Sequence, residues 1–384
     1  MAELDLLRFL AALAVVAFHY LVAYASVWGD RPAELFPALA PIAGLGILGV
    51  ELFFIISGFV ILMTVWGRGL GAFARSRLVR LYPAYWLSLA AIAALYGLTG
   101  AKALDPKLSP GEYLLNASMF QRLFKVTDAS GVYWSLWAEL RFYLLIAILV
   151  IIGVTRGRVL TFCGIWLAAA LGVKLLEDND IAVPELVREI VMPDYAGYFV
   201  AGMALYLVHK HRGGWLPWLW IAVSYGLSLH SALGRVGRRI DAAGFKNMPV
   251  TDLSVIITLT LIFAVMILMA LGVLRMRSSR TLTALGGTTY PLYLFHSVIA
   301  VALIPLLTGH LPPGRSPRSR HWCRFSCRIS STPLPNAPSS GYSSPADPHK
   351  PHQVRPYRWK RRRCHNSVAL GHCEGHRLGH INGG

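Results

Sequence analysis

His19 lies eleven residues after Arg8 in the first apolar stretch of the chain, Leu4-Asp-Leu-Leu-Arg8-Phe-Leu-Ala-Ala-Leu-Ala-Val-Val-Ala-Phe-His19-Tyr20. In a helix, eleven residues turn through about 1100°, three turns plus roughly 20°, and rise about 16 Å, so both side chains share one face. Ionisable groups inside a membrane span are expensive and mark function. A guanidinium near one membrane edge and an imidazole deep in the same span suit a long polar ligand entering from one side. The imidazole is the candidate base or nucleophile.

Four later segments carry further chemistry. Gly49-Val-Glu51-Leu-Phe-Phe-Ile-Ile-Ser57-Gly58-Phe59 puts a carboxylate near the outer end of a second span. Glu51 either faces interfacial water or holds the His19 imidazole in one tautomer. Ser57 and Gly58 read as a close helix contact. Arg75-Ser-Arg77-Leu-Val-Arg80-Leu-Tyr-Pro83-Ala-Tyr85-Trp86 sets Arg77 and Arg80 on one helical face at a membrane edge. Guanidinium forks suit phosphate, whereas the bland reading is basic anchoring with Tyr and Trp as belt residues. Tyr133-Trp134-Ser135-Leu136-Trp137-Ala138-Glu139 opens another span, with Glu139 expected to face the bundle interior and Arg141 to pair with some acid. Thr289-Tyr290-Pro291-Leu-Tyr293-Leu-Phe295-His296 adds a second membrane-buried histidine, structural if taken alone.

The elements that must position these residues are apolar. The chain is 55% hydrophobic and 15% charged, with a mean hydropathy of +0.50, outside the range of soluble domains. Nine stretches approach or exceed spanning length, at 5–27, 40–64, 81–99, 133–153, 159–175, 194–209, 215–232, 252–274 and 283–307. The fold class is therefore all-α, a polytopic transmembrane helical bundle. The first stretch lacks a basic leader and a small-residue cleavage site, so it reads as a span and not as a signal peptide. Basic, acid-free loops around Arg68–Arg80, Arg156/Arg158, Lys210/Arg212 and Arg275–Arg280 all fall on the side of the N-terminus. The positive-inside rule makes that side cytoplasmic and the location a plasma (inner) membrane. One loop disagrees, with Arg235, Arg238, Arg239 and Lys246 assigned to the outside. The acidic run Glu177 to Asp194 lies outside as well.

The formal net charge of +18 is concentrated at one end. Residues 1–310 form the transmembrane domain. Residues 311–384 hold 13 Lys and Arg against 2 Asp and Glu, four of the five Cys and ten of the 22 Pro. They lack hydrophobic periodicity and are expected to be a disordered basic tail, possessing the look of an out-of-frame translation.

Taken together and in order, these motifs resemble the acyltransferase 3 family of integral-membrane acyltransferases. The resemblance rests on Asp5-x-x-Arg8…His19, the Gly-Val-Glu-Leu-Phe-Phe…Ser-Gly-Phe run, Arg77-x-x-Arg80-x-x-Pro-x-Tyr-Trp, Trp134-Ser-Leu-x-x-Glu139 and Tyr293-Leu-x-His296, five motifs over residues 4–296. It implies acyl transfer, often of acetyl, from cytoplasmic acyl-CoA to a hydroxyl on a sugar or similar acceptor. It also implies His19 as the catalytic residue, with roles for Arg8, Arg77 and Arg80 toward CoA and for Glu139. Members commonly have ten core spans, Gly where this chain has Leu6, and a second acid where it has Leu140. A transporter or exporter of acyl groups or glycans, with His19, Glu51, Glu139 and His296 along its path, is the alternative from another class. Whether Glu51 or Glu139 orients the imidazole stays open.

No P-loop, dinucleotide fingerprint or metal-ligand spacing is present, and no metal is expected. Cys323, Cys327, Cys364, His365 and Cys373 are poorly spaced for zinc. Lys360-Arg-Arg-Arg363 reads as chance composition and not as a nucleic-acid patch. The partners expected are acyl-CoA, a hydroxylated acceptor and the lipid bilayer.

Overall fold

The computed structural model describes residues 1–28, 36–99, 108–211, 214–242 and 250–308. Nine long helices among the described residues correspond to the nine apolar stretches. They are α1 (Ala2–Phe18), α2 (Gly49–Val65), α3 (Leu70–Thr99), α4 (Tyr133–Ile152), α5 (Arg156–Asp178), α6 (Ala196–His211), α7 (Leu216–Ala242), α8 (Asp252–Leu271) and α9 (Arg280–Thr308). Eight segments, all but α7, are long and apolar enough to cross a membrane. The chain is an all-α, polytopic helical bundle. The basic tail expected over residues 311–384 lies outside the described residues.

The centre of the bundle is α6. Every residue from Ala196 to Val208 is buried, as expected of a helix that is apolar all round. Its partner α2 approaches so closely that a Cβ on Gly58 would run into the Phe199 carbonyl, and one on Gly202 into the Ile55 carbonyl. The other side of α2 meets α1, where Gly46 and Gly49 lie against the backbones of Ala14 and Ala11. Bilayer lipid gives apolar helices little reason to separate from it, so small residues that permit backbone approach set which helices meet. Leu10, Leu13, Ile148, Ile165 and Leu261 point outward from the bundle.

The first and last helices run parallel and side by side. Gly286 of α9 packs on the Asp5 side chain, Tyr20 donates to the His296 carbonyl at 2.8 Å, and Tyr24 donates to Ser297 Oγ at 2.6 Å. Beyond Phe18 the first helix widens into a π-helical turn, His19–Ala23, closed by the Tyr24 amide on the His19 carbonyl at 2.9 Å. Such turns are uncommon and concentrate at functional sites.

The segment before α4 is tied down by polar contacts. Tyr82, Tyr85 and Trp86 of α3 donate to the carbonyls of Ser118, Asn116 and Ala117, the orphan acceptors at the end of the short helix Pro110–Ala117. These aromatics, expected as belt residues, are caps. The Asn116 side chain bridges to Thr127 and Ala129, and Arg122 pairs with Asp128. Together they fix where Trp134, Ser135 and Glu139 begin.

The α2–α6 crossing yields a stability prediction. Gly202→Val is expected to lower stability by at least about 2 kcal/mol, because overpacking a tight contact displaces backbone. Gly226→Ala, where a Cβ meets nothing within 4 Å, serves as the neutral control. A thermal melt of both variants in detergent checks the contrast.

Candidate active site

Five helices converge on one cleft. It is lined by Arg8 of α1, Ser57 of α2, Arg80 of α3, Ser135 and Glu139 of α4, and Tyr290 and Tyr293 of α9, with Phe53 and Phe54 as apolar wall. Its empty space, open mouth included, is about 630 Å³. Glu139 Oε1 accepts from Ser57 Oγ at 2.9 Å and from the Tyr143 hydroxyl. Arg8 is paired with Asp5 at 3.8 Å and lies within electrostatic reach of both Arg80 and Glu139. Asp5 and Glu139 thus offset two guanidinium groups that would otherwise repel each other in a low-dielectric setting.

Ser135, Tyr293 and the Val132 carbonyl form a hydrogen-bonded knot at the far end of the cleft. One helical turn beyond Tyr293 stands His296, fully buried, with ring centroids of the two 5.8 Å apart. The His19 ring lies 4.8 Å from that of His296. Its Nδ1 sits 2.8 Å from the Val15 carbonyl, the geometry of an N–H donating to the preceding turn. The cleft therefore runs from two arginines toward two histidines, along the parallel α1 and α9.

The sequence model of the acyltransferase 3 family, described as an acyltransferase domain, matches residues 1–325. The chain belongs to the acyltransferase 3 family. No curated protein and no solved structure matches it. Family and helices together make it a multi-pass membrane protein of the acyltransferase class.

The candidate residues of this acyltransferase separate into two groups. Arg8, Arg80, Ser57 and Glu139 meet at the cleft, with His19 and His296 just beyond it. Ser57 serves as a hydrogen-bond donor to Glu139 and Gly58 alone as the packing residue. Arg77 is one step removed, donating to Ser76 at 2.9 Å with its guanidinium 5.9 Å from the Tyr143 ring. Trp134 packs on Phe54 and on Tyr195, in the aromatic layer behind the cleft wall.

Glu51 belongs to the second group. It does not line the cleft. It is ion-paired with Arg235 Nη2 at 2.9 Å, with both side chains buried. Arg235 was expected in an outer loop. It is instead part of α7, held over the Tyr195 ring at 5.0 Å and donating to the Tyr198 hydroxyl at 3.2 Å. The signal was present in the sequence. Ser224, Ser228, Ser231 and Arg235 recur at helical spacing and are all buried, a polar stripe that continues the span past residue 232. Lys246 lies outside the described residues. The acidic run 177–194 likewise folds into an ion-pair cluster, in which Lys174 and Arg188 bridge Glu177 and Asp194. Arg141 pairs with Glu189 at 2.7 Å.

Glu51→Leu is expected to destabilise the protein by about 3–5 kcal/mol, because it leaves the Arg235 charge buried and uncompensated. The double variant Glu51→Leu/Arg235→Met is expected to recover most of that loss. Equal melting temperatures for the single and double variants would contradict the pairing.

Proposed function

We propose that this chain is a membrane O-acyltransferase that moves an acyl group, foremost acetyl, from acyl-CoA to a hydroxyl of a saccharide or similar acceptor. The observation that carries the proposal is the cleft with two guanidinium groups at one end and the His19–His296 pair beyond the other. Acyl-CoA has matching polarity, with phosphates at one end of an extended arm and a thioester at the other. In this reading Arg8 and Arg80 bind phosphate oxygens through charge-assisted hydrogen bonds. Glu139, fixed by Ser57 and Tyr143, keeps the two cations together and oriented.

His19 is the proposed base. With Nδ1–H held by the Val15 carbonyl, the neutral ring presents Nε2 as its lone pair. That nitrogen takes the acceptor's hydroxyl proton as the oxygen attacks the thioester carbon. Transient acylation of the same nitrogen is the competing route. The reading calls for no metal. It places the N-terminus and the CoA end on the cytoplasmic side of a plasma membrane, supported by the basic loops following α2, α4, α6 and α8.

His19→Ala is expected to abolish O-acetyl esters on surface glycans while protein abundance is retained, read as a mass shift against gene-deleted and complemented cells. Persistent acetylation would contradict the assignment. Arg80→Ala is expected to weaken acetyl-CoA binding by about tenfold to a hundredfold, the loss of one charge-assisted contact. Arg77→Ala, which alters a residue off the cleft, is expected to weaken it less. Titration of the purified protein with labelled acetyl-CoA measures both.

A further inference from the structure

We propose that the seam between α6 and α7 is the route by which a neutral, polyhydroxylated acceptor reaches the cleft from the end of the bundle opposite the N-terminus. The proposal rests on the acyl-transfer reading above and adds to it the path of the acceptor. Ser224, Ser228, Ser231 and Arg235 follow one another at intervals of four, three and four residues. They form one face of α7 about 16 Å long, and all four are buried. Arg235 marks the outer end of the stripe, beside Glu51 at the start of α2 and Tyr195 just before α6. The three serine hydroxyls and the Nε and Nη1 of Arg235 have no hydrogen-bond partner among the described residues. Buried polar atoms are satisfied in the great majority of cases, so five orphans on one helix face call for a reason.

The chemistry of the stripe selects its ligand. Arg235 already carries Glu51 on Nη2 at 2.9 Å, so its charge is answered and an anion gains little there. What it leaves open is N–H donors, while each serine hydroxyl both donates and accepts. A sugar hydroxyl does the same, so a neutral polyol satisfies the stripe without adding charge to the bundle. Aromatic faces stand beside it. The Arg235 guanidinium lies over the Tyr195 ring at 5.0 Å, and Tyr195 packs on Trp134 at 5.5 Å and on Phe54 at 5.3 Å. Phe54 belongs to the cleft wall. Arg235 thus stands two rings behind the cleft, next to surfaces of the kind on which the apolar faces of sugars stack.

In the closed bundle α6 fills the seam. A Cβ on Gly197 would meet Ser228 Oγ at 2.7 Å and the Ser224 carbonyl at 2.9 Å, and Tyr198 donates to the Ser228 carbonyl at 3.0 Å. Orphaned polar atoms gain hydrogen bonds when such a contact parts, whereas the small-residue contact of α2 with α6 only loses packing. Among the described long helices, α7 is also the one that falls short of the apolar length of a membrane span. The element that moves is therefore α7, and the pair α2 and α6 stays.

The test uses the purified full chain in lipid nanodiscs, with acetyl-CoA as donor and base-treated, ester-free surface glycan from the expressing cells as acceptor. Ser224→Ala/Ser228→Ala/Ser231→Ala removes three hydroxyls that bond nothing in the closed bundle, so its melting temperature is expected to match or exceed that of the unaltered chain. Its KM for the glycan is expected to rise about tenfold, the scale of one or two neutral hydrogen bonds, with KM for acetyl-CoA unchanged. An unchanged KM for the glycan would overturn the proposal. In a second measurement, Ser231→Cys is treated with a water-soluble maleimide and mapped by peptide mass spectrometry, with buried Cys163 as internal reference. The introduced thiol is expected to react more than about tenfold faster than Cys163, because local opening exposes only the seam, and the glycan is expected to protect it. Equal rates, or labelling that the glycan does not slow, would overturn the proposal. Absence of acetyl transfer by the unaltered chain would instead remove the acyl-transfer reading. The labelling reads the seam without turnover, so the two failures are distinguishable.

Discussion

A membrane interior offers a buried charge no water, so each ionisable side chain of this bundle must be compensated by another group on a neighbouring helix. That constraint orders the structure. Glu51 and Arg235 answer each other across α2 and α7. Arg141 answers Glu189, and Lys174 answers Asp194. These pairs are closed, with each cation resting on at least one carboxylate. The cleft differs. There Arg8 is paired with Asp5 and lies within electrostatic reach of Glu139, while Arg80 lines the cleft with no ion pair among the described residues, the charge that the proposed anionic ligand would meet. The difference between a strut and a site is, in this bundle, a matter of charge accounting.

The imidazoles are held by the backbone of their own helices. The Val15 carbonyl lies 2.8 Å from His19 Nδ1, and the π-helical turn that opens at His19 gives the ring its place at the junction with α9. The parallel packing of α1 and α9 then brings His296 alongside. The order of residues along both helices carries the polarity of the cleft, from Asp5 and Gly286 through Arg8 and Tyr290 to His19 and His296.

Much of this was legible in the sequence. The nine apolar stretches gave the long helices, because apolar length is the strongest signal a membrane chain carries. The eleven-residue spacing of Arg8 and His19 gave their shared axis, since helical geometry alone determines it. Gly58 could be read as a contact because only a residue without Cβ permits one. Partner choice was not legible. Glu51 and Glu139 look alike in sequence, each an acid near the start of a span, and only the arrangement of α2, α4 and α7 assigns one to Arg235 and the other to the cleft. Arg235 reads as a loop residue because basic residues near a span end ordinarily are, whereas the buried serines at 224, 228 and 231 carry the helix on to it. His296 looked structural because its neighbour lies far away in the chain.

The central claim is that one ligand runs from the arginines to the histidines. A cryo-electron microscopy structure of the protein in nanodiscs with a non-hydrolysable acetyl-CoA analogue tests it most directly. The account predicts phosphate density against Arg8 and Arg80, with the analogue's acyl carbon beside His19 and within the turn of α9 that carries His296. Phosphate density elsewhere, or an acyl group directed away from both histidines, would contradict it.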